Sequence, residues 1–340
     1  MPATTRKIVW VVPSWAIDVT GDHPLSMVAS VRYRVLIPMR ELAARGHDVT
    51  VLPIDSEAQL DRLRDLGGVD VIVIWKFSAV PGLFRTVIEI AHAKGAKVAY
   101  DLCDDHFDHP TFGPLYLSTC RSADLVVAAT PMLADTIATR TGRIASVIPE
   151  PFEGPKAAAR WAPGADRMNL LWFGHSVNLD TIESAVPKLV DYGAKRPLAL
   201  TVVTISKTDL LGQFKQFNQR HRHRLSLRYV EWSLEATWRE LGATDIVVIP
   251  QNMSDRARIA KSPNRLIESM WAGRFVVASP IPSYVEFGEW AALFEDTCEG
   301  LDWVLAHQDA LEPRIKGGQD YIAAHYSPSV IADRWEEALR

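Results

Sequence analysis

The chain has 340 residues, of which 48% are hydrophobic and 23% charged, the composition of a soluble globular protein and not of a disordered one. Its net charge of −4 gives no electrostatic footprint for nucleic acid. Three cysteines, Cys103, Cys120 and Cys298, are too few and too scattered for a disulfide framework or a zinc cage, which points to a reducing, cytoplasmic setting.

Arg6 and Lys7 precede the apolar run Ile8–Val12, but Pro13 and Asp18 follow at once. The run is therefore expected as a buried first strand rather than a secretion signal. Further short β-rich runs follow at Asp48–Leu52, Val69–Ile74, Ala96–Tyr100, Asp124–Ala128 and Ile144–Ile148. Most are continuous Val, Ile, Leu and Ala, the pattern of strands covered on both faces. Between them, Val28–Arg45 carries Val31, Val35, Met39 and Leu42 at helical spacing and stops at Gly46. Pro81–Lys94 and Pro131–Arg140 open with proline in the first turn. Strand and helix in alternation imply a parallel sheet with right-handed crossovers.

The alternation breaks at Pro149, Pro151, Pro155 and Pro163, so residues 151–167 read as a linker. It restarts with Asn169–Phe173, Leu198–Thr204, Ser226–Val230, Asp245–Ile249, Phe275–Ala278 and Ala291–Phe294, and Pro328–Leu339 reads as a closing helix. The expectation is an α/β protein with two Rossmann-like domains facing across a cleft. The first spans 1–150 and the second 168–327, with helix 328–340 returning to the first. No stretch approaches the ~20 apolar residues needed to span a bilayer.

In open parallel sheets, ligands gather outside the carboxyl ends of the strands. The most informative such place is Lys261-Ser-Pro-Asn-Arg265-Leu-Ile-Glu268-Ser-Met-Trp-Ala-Gly273 and the strand after it. Ser262 is expected to cap a helix whose first turn holds Pro263 and Asn264. A helix N-terminus attracts anions, and Lys261 and Arg265 flank this one, so together they suit a diphosphate. Glu268, one turn further, suits the hydroxyls of a ribose.

The stretch Asn264–Ser279 resembles the signature of retaining glycosyltransferases of the GT-B fold, in which a glutamate, seven residues and a second glutamate precede Gly and an apolar strand. Glu268, Gly273 and Val276-Val277-Ala278 match, while the first glutamate is replaced by Ala260. The resemblance implies that Glu268 holds the donor ribose. It also implies that the turn Leu171-Trp-Phe-Gly174-His175 approaches the donor phosphates, and that Arg228–Glu235, with Trp232, flanks the base. The donor site so expected comprises Gly174, His175, Trp232, Lys261, Ser262, Asn264, Arg265 and Glu268. Lys207, after its strand, is a weaker phosphate candidate and more often a surface residue.

The first domain is expected to hold the acceptor. Tyr100–Pro110 packs four aspartates and two histidines into nine positions, Asp101 to His109, directly after a strand. Asp101 and Asp104 are the candidates to orient an acceptor hydroxyl or take its proton. A metal held by Asp101, Asp104, His106 and His109 is the lesser reading, so no metal or other cofactor is expected. Arg32 and Arg34, after the loop Ser14–Ser30, are candidates for a phosphate or an anionic acceptor.

The basic run Arg220-His-Arg-His-Arg224 reads as a solvated turn, with anionic lipid headgroups as the alternative and a peripheral place on the inner membrane face as its consequence. The expected reaction moves a sugar from a nucleotide-sugar donor to a glycan or lipid-linked acceptor, as in surface polysaccharide synthesis. The resemblance weakly implies retention of configuration. Two alternatives stand beside it: a degenerate binding partner, for which Ala260 argues, and a sugar-nucleotide epimerase of the same architecture.

Overall fold

The computed structural model describes residues 5–76, 82–164, 166–205 and 209–340. Pro81 and Lys207 lie outside the described residues. The chain divides into two compact units. One comprises Met1–Pro151 together with Ala260–Ser262 and His325–Arg340, the other Phe152–Ile259 with Pro263–Ala324.

The first unit is built on six parallel strands: β1 (Lys7–Val12), β2 (Asp48–Pro53), β3 (Val71–Trp75), β4 (Lys97–Leu102), β5 (Leu125–Ala128) and β6 (Ser146–Val147). Their order is β2-β1-β3-β4-β5-β6. The chain therefore leaves β1 in one direction and resumes on its other side at β3, which makes the carboxyl edge between β1 and β3 the topological switch point. Alternate residues of β1 feed two separate cores. Val9 and Val11 pack on one face of the sheet, Ile8, Trp10 and Val12 on the other, and all five are essentially fully buried. Burial on both faces is why the strand reads as an unbroken apolar run.

The closing helix, Pro328–Ala338, covers the second of these faces. Trp335 meets Trp10 edge to face at 5.9 Å between ring centroids. Arg45 and His47 bond to Glu336 at 3.2 and 3.1 Å, so the helix is also tied along its outer side.

Three elements differ from the sequence expectation. Strand β4 runs two residues beyond Tyr100, which places Asp101 and Leu102 inside the sheet. The run Ile144–Ile148 shortens to β6, because an edge strand has one neighbour and Ile144 is left almost fully exposed. The helix expected over Val28–Arg45 is interrupted. Ala29–Val31 is α-helical, Arg32–Leu36 forms a π-helical turn, and Ile37–Ala44 is α-helical again. The π turn is closed by the amide of Ile37 donating to the Arg32 carbonyl, five residues back. Its wider turn brings Tyr33, Arg34, Val35 and Leu36 into the interior in succession.

The second unit also carries six parallel strands: β7 (Met168–Phe173), β8 (Leu198–Thr204), β9 (Leu225–Glu231), β10 (Ile246–Ile249), β11 (Phe275–Ala278) and β12 (Ala292–Leu293). The order β12-β11-β10-β7-β8-β9 is that of the doubly wound dinucleotide-binding sheet, with its switch point between β7 and β10. The segment read as a linker is docked on this unit along much of its length. The Ala157 amide donates to the Trp271 carbonyl at 3.0 Å, and the Arg160 amide to that of Gly273 at 3.1 Å. Gln319 then binds the carbonyls of Ala157, Met270 and Trp271. Gly273 is required here twice over. Its φ is +74°, and a side chain would drive a Cβ to 2.1 Å from the Ala158 carbonyl oxygen.

Candidate functional site

At the switch point of the second unit, β7 ends at Phe173 and the chain turns through Gly174 and His175 into a 3-10 turn, Ser176–Asn178, and the helix Leu179–Tyr192. Gly174 leaves bare backbone in a confined place. A Cβ there would lie 3.3 Å from the Trp172 ring and 3.4 Å from Nη1 of Arg265. His175 Nδ1 accepts from the Val177 amide at 3.2 Å, so its ring caps the turn.

Arg265 comes from the helix Asn264–Trp271, which follows β10 in the chain. Its Nη1 donates to the Phe173 carbonyl at 3.4 Å, and its guanidinium lies over Trp172 at 5.8 Å. Tyr284, fully buried, stands close to Arg265 and Gln251. Burial pushes that phenol upward, with Arg265 pulling the other way. A guanidinium held on two sides beside a glycine turn has given up part of its rotamer freedom before any ligand arrives. It can meet an anion at a lower ordering cost. Glu268 is nine-tenths buried one turn along the same helix.

Ser262 does not cap this helix. Pro263 holds the N-cap position with φ −82° and ψ 16°, outside the extended geometry that a capping side chain requires. The Ser262 hydroxyl instead bonds to the buried carboxylate of Glu150 in the first unit, to which Ala260–Ser262 belong. The adjoining Ala260 carbonyl accepts from Thr130 Oγ1 at 3.0 Å. Trp232, half-buried after β9, stands two strands from β7, roughly 10 Å away at ordinary strand spacing. The site residues brought together in the second unit are thus Gly174, Arg265 and, on one helix, Asn264 and Glu268.

Beside them lies a cavity of about 420 Å3, lined by Asp180, Thr181 and Ser184 of the helix after β7, Gln251–Ser254 after β10, and Glu295. Arg258 ties its walls together. It bonds both carboxylate oxygens of Asp180 at 2.9 and 2.8 Å and that of Asp255 at 3.1 Å. Sequence reading missed Arg258, Gln251 and Tyr284. Gln251 and Tyr284 follow strand ends, the one signal that could have marked them.

In the first unit the carboxyl ends of the strands gather buried charge. Arg34 and Asp101 are each 1% exposed and form a two-pronged ion pair, with the Nε–Oδ2 arm at 3.0 Å. A further nitrogen of Arg34 binds the Ile148 carbonyl. Burial opposes the charge on Arg34, but Asp101 outweighs it and holds the guanidinium above its ordinary value. This corrects two expectations. Because the π turn carries Arg34 inward and β4 extends through Asp101, the two residues consume each other. Neither presents a charge to a ligand. Arg32 stays nearer the surface and donates to the Met27 carbonyl at 3.0 Å.

Asp104 is placed differently. Its carboxylate, 29% exposed, pairs with Lys76, which directly follows β3. Burial works against the carboxylate charge, yet Lys76, with help from Lys261, holds it far below the ordinary range. Lys76 is held above its own ordinary value by Asp104 against its burial. Glu150, after β6, shifts upward through burial, with Arg34 and Ser262 pulling the other way. Lys76 and Glu150 were missed in the sequence because a single polar residue after an apolar run looks like any strand end.

The stability drawn from a depressed Asp104 is fully present above the ordinary carboxylate range and lost as pH falls through the depressed value. Asp104→Asn is therefore expected to be less stable than the parent at pH 7. The difference should narrow as the pH falls from about 4 towards 2. Denaturant titration of both proteins at several pH values checks this. A gap of constant size would remove the ion pair from the account. Among the described residues no group of three or more His, Cys, Asp or Glu side chains is placed to hold a metal ion. Nor is any helix among them long and apolar enough to cross a membrane.

No protein-family model matches the sequence, and no curated protein matches it. The fold, in contrast, has clear counterparts among solved structures. HepE from Anabaena, crystallised with UDP and glucose, aligns with a TM-score of 0.70 at 12% identity, over 98% of this chain and 99% of its own. A glycosyltransferase from Rickettsia africae aligns with a TM-score of 0.68 at 13% identity, over 98% of both chains. A UDP-forming α,α-trehalose-phosphate synthase from Burkholderia xenovorans aligns with a TM-score of 0.61 at 12% identity, over 99% of both. With six parallel strands in each unit and these counterparts along nearly its whole length, the chain has the two Rossmann-like domains of the GT-B fold.

Proposed function

We propose that the protein is a glycosyltransferase that takes a sugar from a nucleoside-diphosphate sugar and delivers it to a glycan or lipid-linked acceptor, as in bacterial surface polysaccharide synthesis. The observation that carries the reading is Arg265, held by Trp172 and the Phe173 carbonyl against the bare backbone of Gly174 at the switch point of the second sheet. The structural neighbours support it, since HepE was crystallised with UDP and with UDP-glucose.

In this reading the diphosphate lies at Gly174 and Arg265, and Glu268 accepts the ribose hydroxyls. Trp232 flanks the base from the end of β9, while Lys261 and Asn264 add polar contacts at the start of the helix. The bond between the sugar's anomeric carbon and the diphosphate oxygen breaks as the acceptor oxygen bonds to that carbon. The electron pair leaves on the diphosphate, where Arg265 stabilises the growing charge. Asp104, held ionised by Lys76, is a weak base at neutral pH. Its role is to orient the acceptor hydroxyl, and the proton leaves with the diphosphate oxygen. Retention of configuration, operation without a metal and a peripheral place on the inner membrane face belong to the same proposal.

The test is a thermal-shift series with UDP, GDP, dTDP, CMP and ADP, on the parent and on Glu268→Ala. A ligand that binds only the folded state raises the melting temperature by mass action, by about 2.7 kcal/mol of stability at a hundredfold excess over Kd. One nucleoside diphosphate should stabilise the parent, and the variant should lose that shift. Silence with every nucleotide at millimolar concentration would defeat the proposal.

A further inference from the structure

Among the described residues, few large apolar side chains stand open to solvent, and four of them lie within one loop. Trp15 is 61% exposed, Val19 42%, Leu25 61% and Met27 68%. The loop follows β1 and so sits at the switch point of the first sheet. It is not a loose excursion. Asp18 and Leu25 pair through both backbone bonds, at 2.8 and 2.9 Å, closing a miniature hairpin. The Ser26 hydroxyl binds the Ala16 carbonyl at 2.6 Å, and Arg32 binds that of Met27. Ala16 and Ile17 are buried in the core beneath, and Trp15 rests edge-on against Trp75 at 6.1 Å. The fold fixes the backbone and leaves the apolar side chains outside.

Exposed apolar groups clustered on an ordered loop mark an interaction surface. The area is too small for a second copy of the chain. Side chains of this size expose roughly 450 Å2 together, against about 800 Å2 per partner in a stable protein interface. A bilayer sets no such threshold, because a few apolar side chains with a tryptophan among them suffice for the headgroup boundary. The charges of the hairpin select the kind of bilayer. Asp18 and Asp22 are exposed on it, and Lys is absent between Ser14 and Ser30. Carboxylates are repelled by anionic headgroups and not by net-neutral ones, whose ammonium group offers them a partner.

We infer that Trp15, Val19, Leu25 and Met27 form a membrane-docking surface that inserts among lipids with ammonium-bearing headgroups. Docking itself is independent of the transfer reaction. That the docked face receives a lipid-borne acceptor rests on the function proposed above.

The experiment is co-sedimentation of the full chain with vesicles of phosphatidylethanolamine and phosphatidylcholine, and with vesicles containing phosphatidylglycerol. It is run on the parent, on Trp15→Ser/Leu25→Ser/Met27→Ser, and on Arg220→Ser/Arg222→Ser/Arg224→Ser. The parent should partition onto the first vesicles, and the loop variant at least tenfold less. The arginine variant should match the parent. A melting transition of the loop variant that matches the parent's in the absence of nucleotide shows that its fold is intact. Vesicle binding lost in the loop variant, with no nucleotide shift in any protein, would leave the surface standing and remove the transferase. No parent binding, equal binding by the loop variant, or binding only to anionic vesicles that the arginine variant loses would each overturn the inference. A parent dimer dispersed by the loop substitutions would do the same.

Discussion

Arg34→Met is expected to destabilise the first unit by about 3–5 kcal/mol, because it leaves the Asp101 carboxylate uncompensated in an interior site. The methionine replaces the aliphatic stem, so lost packing contributes little. What disappears is the two-pronged pair with Asp101 and the bond to the Ile148 carbonyl. In a unit of this size the melting temperature should fall by on the order of 10 °C. Urea denaturation of the full chain measures the loss of free energy, with each unit free to give its own transition. Removing both charges together, as Arg34→Met/Asp101→Leu, should recover much of the loss, since two apolar side chains of similar volume need no partner. A single-variant loss below about 1 kcal/mol would mean that water reaches the pair.

The second large effect belongs to Arg265. If its guanidinium meets the diphosphate, Arg265→Met should lower kcat/KM by about 10²–10³-fold, the range seen when one preorganised donor to a developing oxyanion is removed. Binding of the bare nucleoside should change little, while the diphosphate loses its advantage over it. Lysine should rescue poorly. A point charge on a flexible stem cannot bond the Phe173 carbonyl, cover Trp172 and reach an anion together. Titration calorimetry with nucleoside and nucleoside diphosphate reads the difference directly. Equal losses for both ligands would make Arg265 a structural brace.

The architecture was legible because both sheets are parallel and buried on both faces, so each long strand announces itself as an apolar run ended by a polar residue. The short edge strands were read too long. Ser146–Val147 shows why: pairing with one neighbour, not hydrophobicity, sets the length of an edge. In the second unit Gly174 was marked by the resemblance and Arg265 by its place at a helix start. In the first unit the charges misled. Asp101 and Arg34 are as polar in sequence as Asp104 and Arg32, and only the added length of β4 and the π turn separate the buried pair from its neighbours. Glu150 and Lys76 gain their meaning from residues far along the chain, Ser262 and Asp104, which no local pattern reveals.

The π turn over Arg32–Leu36 also sets a phase. It holds one residue more than an α-helical turn would, and each residue advances a helix by about 100°. Winding the same residues as unbroken α-helix would swing everything beyond them by that angle. Pro38 and Leu42, now buried, would rotate away from the core, and the contact with the closing helix would go with them. The wider turn absorbs the surplus residue. Loss of a single codon within the turn would straighten it and leave the rest of the helix in phase, whereas a codon lost beyond it would be felt at every residue that follows.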